Sequence, residues 1–369
     1  MTDRQDVEFI GFIAPQYGSE THAQEGPVID RDYVRALAQA HEYGGFDRFL
    51  VAFHSTSPDS FALAQYAASV TERIGLMIAH RPGFQAPTVA ARQLATLDHV
   101  TSGRAGVHII TGGNDAELSQ DGDFLTKDER YARTSEYLDI VKASWASEKP
   151  FDYEGRFYRV AKGFSNVKPV QRPRLPVYFG GSSDAAIEVA GKHADIYALW
   201  GETRPQVAET IRRVREAASG HERAAPVRFS LSFRPILAET EDKAWARADD
   251  ILAKTRALRA ARGLGPAAAP ANEGSRRLLA AAAQGDRLEK RLYTAIAAET
   301  GAQGNSTALV GTPDQVADAL LDYHELGVTT FLIRGFDPYE DAVGYGRDLI
   351  PAFRRLLASR GATAAIAAE

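Results

Sequence analysis

The stretch PVYFGGSSDAAIEVAG, Pro176 to Gly191, predicts one complete structural unit of this 369-residue chain. Its opening residues form a short apolar run of the kind found in buried strands, and Asp184–His193 places apolar side chains at helical spacing. Between them, two glycines and two serines form a polar turn. The sequence therefore predicts a strand, a turn at its carboxyl end, and a helix.

The same succession recurs along most of the chain, which we interpret as a single domain, residues 1–369. The predicted strands are Phe9–Ile13, Arg48–Ala52, Gly75–Ala79, Gly106–Ile110, Val177–Phe179, Ile196–Leu199, Phe229–Leu237 and Thr329–Ile333. The predicted helices are Asp30–Tyr43, Asp59–Thr71, Pro87–Val100, Glu129–Ala146, Asp184–His193, Pro205–Ala218 and Pro313–Leu326. About eight βα units predict an α/β protein of the (β/α)8 TIM barrel class. No GxGxxG motif follows the first strand, which disfavours an open dinucleotide-binding sheet.

Two segments interrupt this alternation. Glu148–Val160 alternates aromatic residues around a Glu-Gly pair and predicts a small hairpin. Residues 254–306, before the last βα unit, include a stretch rich in Gly, Pro and Ala, and we expect a long mobile insertion that serves as a lid. An insertion without a role in activity is the alternative. The tail, residues 360–369, is expected to be frayed.

Composition excludes several classes of protein. The net charge is only −5, from 43 basic and 48 acidic residues without long blocks, so neither nucleic acid nor a membrane surface is an expected partner. The absence of cysteine excludes disulfides and thiolate chemistry. No motif of a metal site occurs, and no metal is expected. Because the first residues are polar and no apolar run approaches the ~20 residues of a membrane span, we expect a cytoplasmic protein.

Two glycine-containing turns follow predicted strands, at the rim where barrel enzymes place their chemistry. One is Gly180–Ser183, and the other is Thr111–Gly113 in HIITGGNDAE. Glycines let backbone amides approach a ligand, while a helix N-terminus and hydroxyl groups add donors, which suits a phosphate monoester. A simple N-cap role for Ser183 is the alternative for one turn alone. Two such turns on one rim favour a phosphorylated cofactor.

Five collinear segments of the chain resemble the bacterial luciferase-like flavin monooxygenases, and within them most closely the two-component alkanesulfonate monooxygenases. The segments are PTVAARQLATLDHVTSGRAGVHIITGGNDAE (Pro87–Glu117), DGDFLTKDERYARTSEYL (Asp121–Leu138), PVYFGGSSDAAIEVAG (Pro176–Gly191), LWGE (Leu199–Glu202) and TALVGTP (Thr307–Pro313). The resemblance implies a TIM-barrel subunit that receives FMNH2 from a separate NAD(P)H-dependent FMN reductase and uses O2 as cosubstrate. It also implies a small anionic organic substrate and a homodimer or homotetramer.

The resemblance further implies a set of residues that contact FMN. These are Ser182, Ser183 and Tyr131 at the phosphate, with Thr111, Gly112 and Gly113 along the phosphate and ribityl side. From their positions at strand ends, Gly181 is expected to line the same phosphate site and His80 to contact the isoalloxazine edge. The polar turns described above would then form the phosphate site.

The chain departs from the alkanesulfonate enzymes where those enzymes handle substrate. Ser57 stands in place of a cysteine, so a hydroxyl must take any role of that thiol. Ser232 and Arg234 replace an Arg-x-His pair, which keeps one cation but moves it by two residues. Because alternate residues of a strand share a face, Arg234 is still expected to reach the pocket. We therefore expect one strand cation to be retained at the substrate.

Two further departures concern the carboxyl-terminal part of the chain. Phe336, Asp337 and Pro338 stand where the family has Tyr-Pro-His, and Ala302 stands where it has a lid arginine. The loss of several polar contacts together predicts a different substrate shape, with flavin binding retained.

Several residues that follow predicted strands are candidates for catalysis. Trp200 is expected to stack near flavin or substrate, or else to pack in the core. His54 is the best-placed neutral base or donor, and His80 points to the same rim. Ser57 and Arg234 complete the catalytic candidates. His108 is expected in the core or beside the flavin, and the histidines interpreted as structural are His22, His41, His99, His193, His221 and His324.

Arginine is the expected partner of an anionic substrate, because its planar donors satisfy two sulfonate oxygens at once. Arg234 is the first candidate and Arg334 the second, with buried ion pairs as the alternative for both. Arg81 is expected to hold an anion or a neighbouring carboxylate, and Trp200 and Phe336 are further substrate contacts. Three arginines of the insertion are expected to close over the substrate, with simple solvation as the alternative. They are Arg276, Arg277 and Arg291.

The sequence thus predicts an FMNH2- and O2-dependent monooxygenase that cleaves the C–S bond of an organosulfonate and releases sulfite and an aldehyde. The expected substrate is bulky or polar, such as the sugar sulfonate sulfoquinovose. One alternative is a luciferase-like monooxygenase of a non-sulfonated substrate, such as an alkane, a sulfone or a heterocycle. The others are a flavin-binding protein without turnover and a deazaflavin-dependent dehydrogenase.

Overall fold

A computed structural model describes residues 7–265, 270 and 272–366. In these residues, eight parallel strands alternate with helices in the succession of a (β/α)8 barrel, so the predicted fold class is confirmed. The contacts divide the chain into two compact units. The first unit comprises Met1–Phe49, Leu199–Ile211 and Arg228–Glu369, and the second comprises Leu50–Ala198 and Arg212–Val227.

The elements are numbered in chain order. The strands are β1 (Glu8–Ile13), β2 (Arg48–Val51), β3 (Gly75–His80), β4 (Val107–Ile109), β5 (Phe151–Glu154), β6 (Arg159–Gly163), β7 (Val177–Gly180), β8 (Ile196–Trp200), β9 (Arg228–Leu237), β10 (Arg287–Leu288), β11 (Leu292–Tyr293), β12 (Ala308–Gly311) and β13 (Val328–Ile333). The helices are α1 (Arg31–Tyr43), α2 (Ser60–Ser69), α3 (Pro87–Val100), α4 (Asp115–Gln120), α5 (Lys127–Ala146), α6 (Asp184–His193), α7 (Arg204–Ser219), α8 (Glu241–Ala261), α9 (Glu273–Ala282), α10 (Ala295–Thr300), α11 (Pro313–Glu325), α12 (Pro338–Gly344) and α13 (Ile350–Ile366).

In the first unit, the long strand β9 has two successive neighbours. Its first half is parallel to β13, with Phe229 opposite Val328 and Phe233 opposite Ile333. Its second half is parallel to β12, with Arg234 opposite Ala308. β13 also pairs with β1. Where β13 ends at Ile333, β9 therefore continues alongside β12.

In the second unit, β3, β4, β7 and β8 form consecutive parallel pairs. His80 lies opposite Ile109, Ile109 opposite Phe179, and Phe179 opposite Tyr197, so the strands end at similar levels. Most apolar side chains of these strands are almost completely buried, with Ala198 and Trp200 partly exposed. Turns that follow different strands of this unit therefore begin at neighbouring positions.

The predicted hairpin is present as the antiparallel pair β5 and β6. The start of the predicted insertion, residue 254, falls inside α8, because the helical spacing of Ala, Leu and Arg continues unbroken to Ala261. The insertion then contains α9, β10, β11 and α10, while residues 266–269 and 271 lie outside the described residues. In the tail expected to fray, α13 continues to Ile366, and residues 367–369 lie outside the described part. Within the described chain, every helix is too short or too polar to cross a lipid bilayer.

Candidate functional site

The turn after β7 has a tightly fixed backbone. Gly181 has a φ of +142°, and a Cβ on it would lie 2.7 Å from the Cβ of Ala186 and 2.9 Å from the Tyr131 hydroxyl oxygen. The Tyr197 hydroxyl donates to the Gly181 carbonyl. Because C=O and N–H point in opposite directions across a trans peptide, this bond turns the N–H of Ser182 away from Tyr197. The glycine at position 181 and the hydrogen bond from Tyr197 together set the direction of the Ser182 N–H.

Ser183 caps the helix that follows this turn. Its side-chain oxygen accepts a hydrogen bond from the N–H of Ala186 at 3.4 Å, so the N-cap interpretation is correct. A cap satisfies only one of the four N–H groups that a helix start leaves without intrahelical partners. The remaining groups and the positive end of the helix dipole favour an anion there. Capping by Ser183 is therefore compatible with anion binding.

Tyr131, at the start of α5, contacts the same turn. Its ring is buried and lies 6.4 Å from the ring of Phe179, and its hydroxyl is hydrogen-bonded to the side chain of Ser183. Burial raises the pKa of Tyr131, so the hydroxyl keeps its proton near neutral pH. The structure thus brings together three predicted phosphate residues, Gly181, Ser183 and Tyr131.

The second predicted turn, after β4, contacts the same helix. The Thr111 hydroxyl is buried 3.3 Å from the hydroxyl of Thr134, one turn of α5 beyond Tyr131. Gly112 has a φ of +93°, and a Cβ on it would come within 2.7 Å of a leucine side chain. Gly113 is exposed. Helix α5 therefore contacts both glycine turns.

Arg130, also on α5, is a buried cation that the sequence reasoning missed. Its Nη2 lies 2.7 Å from Oδ1 of Asp115, while its Nε has no hydrogen-bond partner among the described residues. An unpaired buried N–H is costly, so each such donor calls for an explanation. In the sequence, Arg130 is only one basic residue of a predicted helix, and basic residues are also common on surface helices.

His80 ends β3 in a buried position. Its Nε2 lies 2.6 Å from the Tyr137 hydroxyl oxygen, and burial lowers its pKa to about 4. Burial also lowers the pKa of His108 to about 4, and its Nδ1 has no hydrogen-bond partner within the described chain. Both rings are therefore neutral near pH 7 and act as hydrogen-bonding groups, without positive charge.

Replacing His80 with glutamine should make stability less sensitive to acid. Its pKa is about 4 in the folded protein, against 6.5 for a solvent-exposed histidine, so between these values the unfolded chain binds more protons. The contribution of His80 is complete above pH 6.5 and is lost as the pH falls toward 4. Between about pH 8 and pH 5, we expect the wild type to lose about 2 kcal/mol more unfolding free energy than His80→Gln in urea titrations. Equal losses would contradict a buried, neutral His80.

Arg81 pairs with a carboxylate, the second of its two predicted roles. Its Nη2 lies 2.9 Å from Oε1 of Glu117, and its guanidinium lies over the ring of Phe53 at 4.9 Å. His54 is 53% exposed, and its Nε2 lies 3.6 Å from the same carboxylate oxygen. Ser57 is in an exposed turn and donates its backbone N–H to the His54 carbonyl. The structure thus gathers His54 and Arg81 around Glu117, a residue that the sequence reasoning did not select.

Arg234 lies in the first unit at the residue where β9 leaves β13. Its side chain is 1% exposed, and its Nη2 donates to the Gly335 carbonyl at 2.8 Å. Its guanidinium lies 3.6 Å from the centre of the Phe336 ring. Phe336 is completely buried against this guanidinium, and its role as a substrate contact stays a prediction.

Both predicted anion-binding arginines contact one carboxylate. Oε1 of Glu20 lies 2.7 Å from Nη1 of Arg234 and 3.1 Å from Nη2 of Arg334. Burial opposes ionisation of Glu20, but the two guanidinium groups outweigh it and lower the pKa to about 2. Burial and Arg234 lower the pKa of Arg334 to about 10, so Arg334 stays charged near neutral pH. The cluster carries one net positive charge.

This cluster lines a cavity of about 300 Å³, hereafter the arginine cavity. That volume lies at the lower end of the range for small-molecule sites. Its charged lining residues in the described part of the chain are Glu20, Arg234, Arg262 and Arg334. Its other lining residues are Phe12, Ala14, Gly18, Ser19, Gln24, His41, Ile333, Gly335, Pro338, Ala342 and Tyr345. The structure therefore joins the buried guanidinium of Arg234 to a cavity that is partly open to solvent.

The insertion is attached to the end of β8. Trp200 packs against a cluster of Leu278, Ala297 and Ala302, so the core interpretation describes its observed contacts. Arg277 of α9 binds Glu202 through two nitrogens, at 2.8 Å from Nε and 2.7 Å from Nη2. Arg276 and Arg291 are also paired, with Glu273 and Glu241 respectively. These three cations are therefore already neutralised by carboxylates.

Solved structures with the same fold include flavoenzymes of different chemistry. A riboflavin lyase, solved with modified FMN and riboflavin, aligns with a TM-score of 0.76 at 21% identity, over 96% of this chain and 92% of its own. The EDTA monooxygenase from Chelativorans sp. BNC1 gives a TM-score of 0.73 at 21% identity, over 96% and 94%. A long-chain alkane monooxygenase gives 0.74 at 18% identity, over 98% and 92%. At these identities, the likeness supports the fold.

The family is shown by a separate comparison. The profile of the luciferase-like monooxygenases matches residues 7–330, which include both glycine turns and the strand that carries Arg234. The predicted family and the prediction of an enzyme are confirmed, whereas the alkanesulfonate subgroup stays a prediction. The chain belongs to the luciferase-like monooxygenases and is a flavin-dependent monooxygenase.

Proposed function

We propose that this protein is an FMNH2- and O2-dependent monooxygenase that cleaves the C–S bond of an organosulfonate to give sulfite and an aldehyde. The observation that carries the proposal is the arginine cavity, in which the buried guanidinium of Arg234 and the partly exposed one of Arg334 share one carboxylate. Guanidinium binds oxyanions through directed N–H donors, and a sulfonate offers three oxygens to such donors. A bulky or polar sulfonate, such as sulfoquinovose, is the proposed substrate.

The glycine turns fit the phosphate of FMN. The space beside Gly181 would be filled by any Cβ, and two serine hydroxyls and the start of α6 adjoin it. Ser182, Ser183 and Tyr131 would hold the phosphate, with Thr111 and Gly112 beside it. Reduced FMN with O2 supplies the oxygen atom that enters the substrate. We propose that a separate NAD(P)H-dependent reductase provides the reduced flavin to a homodimeric or homotetrameric enzyme.

The residues of the arginine cavity would bind and orient the substrate. Arg234 is fixed by Glu20, by the Gly335 carbonyl and by the Phe336 ring, so its remaining donors have a set direction. The Nε and Nη1 of Arg234 have no hydrogen-bond partner among the described residues, although Nη1 lies 2.7 Å from Oε1 of Glu20, so buried donors are left for a sulfonate oxygen. Phe12 and Ile333 supply apolar wall, which limits water at the bound anion. A fixed anion would hold the adjacent carbon in one place for oxidation.

A carboxylate-bearing substrate is the second candidate. Two arginines bind a carboxylate as well as a sulfonate, and the structurally similar EDTA monooxygenase is named for a polycarboxylate substrate. Such a reaction would consume O2 without releasing sulfite. A deazaflavin-dependent dehydrogenase would instead transfer hydride without consuming O2.

Sulfite release is the test of this function. The purified protein is incubated with an FMN reductase, NADH, FMN and air, and with sulfonates ranging from methanesulfonate to sulfonated hexoses. We expect sulfite from at least one sulfonate, only when reductase and O2 are both present. Substrate-dependent O2 uptake without sulfite would favour the carboxylate alternative, and reduction of deazaflavin by an alcohol would favour the dehydrogenase.

A further inference from the structure

We propose that Glu20 sets the charge of the anion that the arginine cavity accepts, so that the cavity prefers a group with one negative charge over one with two. This inference deepens the proposed function and rests on it, because it concerns the substrate of the same cavity. Glu20 was not among the candidate residues selected from the sequence. Its role would be selection of substrate rather than chemistry.

The charges of the cluster do not cancel. Glu20 is in direct contact with Arg234 at 2.7 Å and with Arg334 at 3.1 Å. One carboxylate therefore offsets one of two guanidinium groups, and a net charge of +1 remains. A monoanion neutralises this cluster, whereas a dianion leaves an excess negative charge that is removed from water without a partner.

The loop that carries Glu20 is held in place by its neighbours. The residues on either side of it, Ser19 and Thr21, both donate to the Phe336 carbonyl, at 2.6 and 3.0 Å. The Nε2 of His22 lies 2.6 Å from Oδ1 of Asp337. These bonds fix the loop that carries Glu20, and an incoming anion would have to break the contacts of the Glu20 carboxylate with Arg234 and Arg334 to displace it. We therefore expect Glu20 to stay on the arginines when the substrate binds.

The other ionisable groups near the cluster are exposed, paired or neutral. Arg262 lines the cavity, but its side chain is exposed and its charge is screened by water. Asp337 and Asp341 are each 2.7 Å from Nη2 of Arg247. His41 lines the cavity but is neutral at the pH of an assay, because burial lowers its pKa to about 4. Glu20 is thus the only carboxylate among the cavity-lining residues in the described chain.

The test compares an alkanesulfonate with the alkylphosphonate of the same chain length, at a pH where the phosphonate is dianionic. Binding is measured by calorimetry without flavin, so that turnover is not required. We expect the wild type to prefer the sulfonate, and Glu20→Gln to shift the affinity ratio toward the phosphonate by about tenfold or more. Glu20→Asp keeps the charge and should keep the preference for sulfonate.

A matched control is Glu340→Gln, which removes the same charge from an exposed residue whose carboxylate lies 3.4 Å from the Tyr17 hydroxyl. We expect its affinity ratio to equal that of the wild type. If Glu20→Gln binds both anions with the wild-type ratio, the role of Glu20 is overturned while the anion site stands. If the wild type binds neither anion, the anion site of the proposed function fails as well. The two failures are therefore distinguishable.

Discussion

Replacing Arg234 with alanine lowers kcat/KM for the organic anion by about 100-fold or more, because a buried charge partner of the substrate is lost. The side chain is 1% exposed, so water cannot readily take its place. Its loss also leaves Glu20 with Arg334 as its remaining guanidinium partner, which reduces the net charge of the cluster from +1 to zero. Steady-state kinetics with saturating reduced FMN measure the effect.

Two variants separate this role from general disruption of the fold. Arg262→Ala removes the same charge from an exposed lining residue, and we expect it to retain most of the activity. Arg234→Lys keeps the charge but loses the planar donors, so it should recover only part of the loss. The affinity for FMN should be unchanged in all three variants. Activity of Arg234→Ala equal to that of Arg262→Ala would refute a special role for Arg234.

The fold followed from local patterns because each barrel strand is a short apolar run. Burial of these strands leaves little room for polar residues, and all eight predicted barrel strands are observed with bounds within one residue of the prediction. The missed strand β12 is equally apolar, in TALVGTP, but it lies immediately before a helix start and the eight-unit pattern does not include it. Helix α8 was missed because its regular spacing runs into a region rich in Gly and Pro.

The glycine turns were predictable because their chemistry is local. The residues from Gly180 to Asp184 are contiguous, and their conformation follows from the glycines and the N-cap serine. The contacts that helix α5 makes with these turns were harder to predict from the sequence pattern alone. The resemblance to the family supplied Tyr131, but Arg130 and Thr134 became apparent only from their contacts.

The arginine cavity was predicted only in part because its contacts are long-range. Arg234 and Arg334 follow from their positions on strands, whereas Glu20 lies in an irregular loop more than 200 residues earlier in the chain than Arg234. Hydropathy periodicity carries no information about such a loop. Phe336 was assigned correctly to the region, but the pattern did not indicate on which side of Arg234 its ring would lie. Likewise, the sequence pattern did not indicate that Glu117 would be the ion-pair partner of Arg81.

Replacing Gly181 with alanine should reduce the affinity for FMN by about 10- to 100-fold. The added Cβ meets Ala186 at 2.7 Å and Tyr131 at 2.9 Å, and a φ of +142° costs a non-glycine residue about 1–3 kcal/mol. Relief of either contact would move the turn whose amide and hydroxyl donors are proposed to hold the phosphate. Flavin fluorescence titrations with FMN and with riboflavin, which lacks the phosphate, measure the effect.

The difference between the two flavins locates the cause of the loss. If the turn binds the phosphate, the wild type prefers FMN to riboflavin, and Gly181→Ala loses most of that preference while its riboflavin affinity changes little. The adjacent Gly180 offers a matched control, because a Cβ there has its nearest contact at 3.3 Å, with the Ala198 carbonyl oxygen. Gly180→Ala should therefore retain the preference for FMN. Equal weakening of FMN and riboflavin in Gly181→Ala would mean that the turn supports the flavin site as a whole and does not recognise the phosphate.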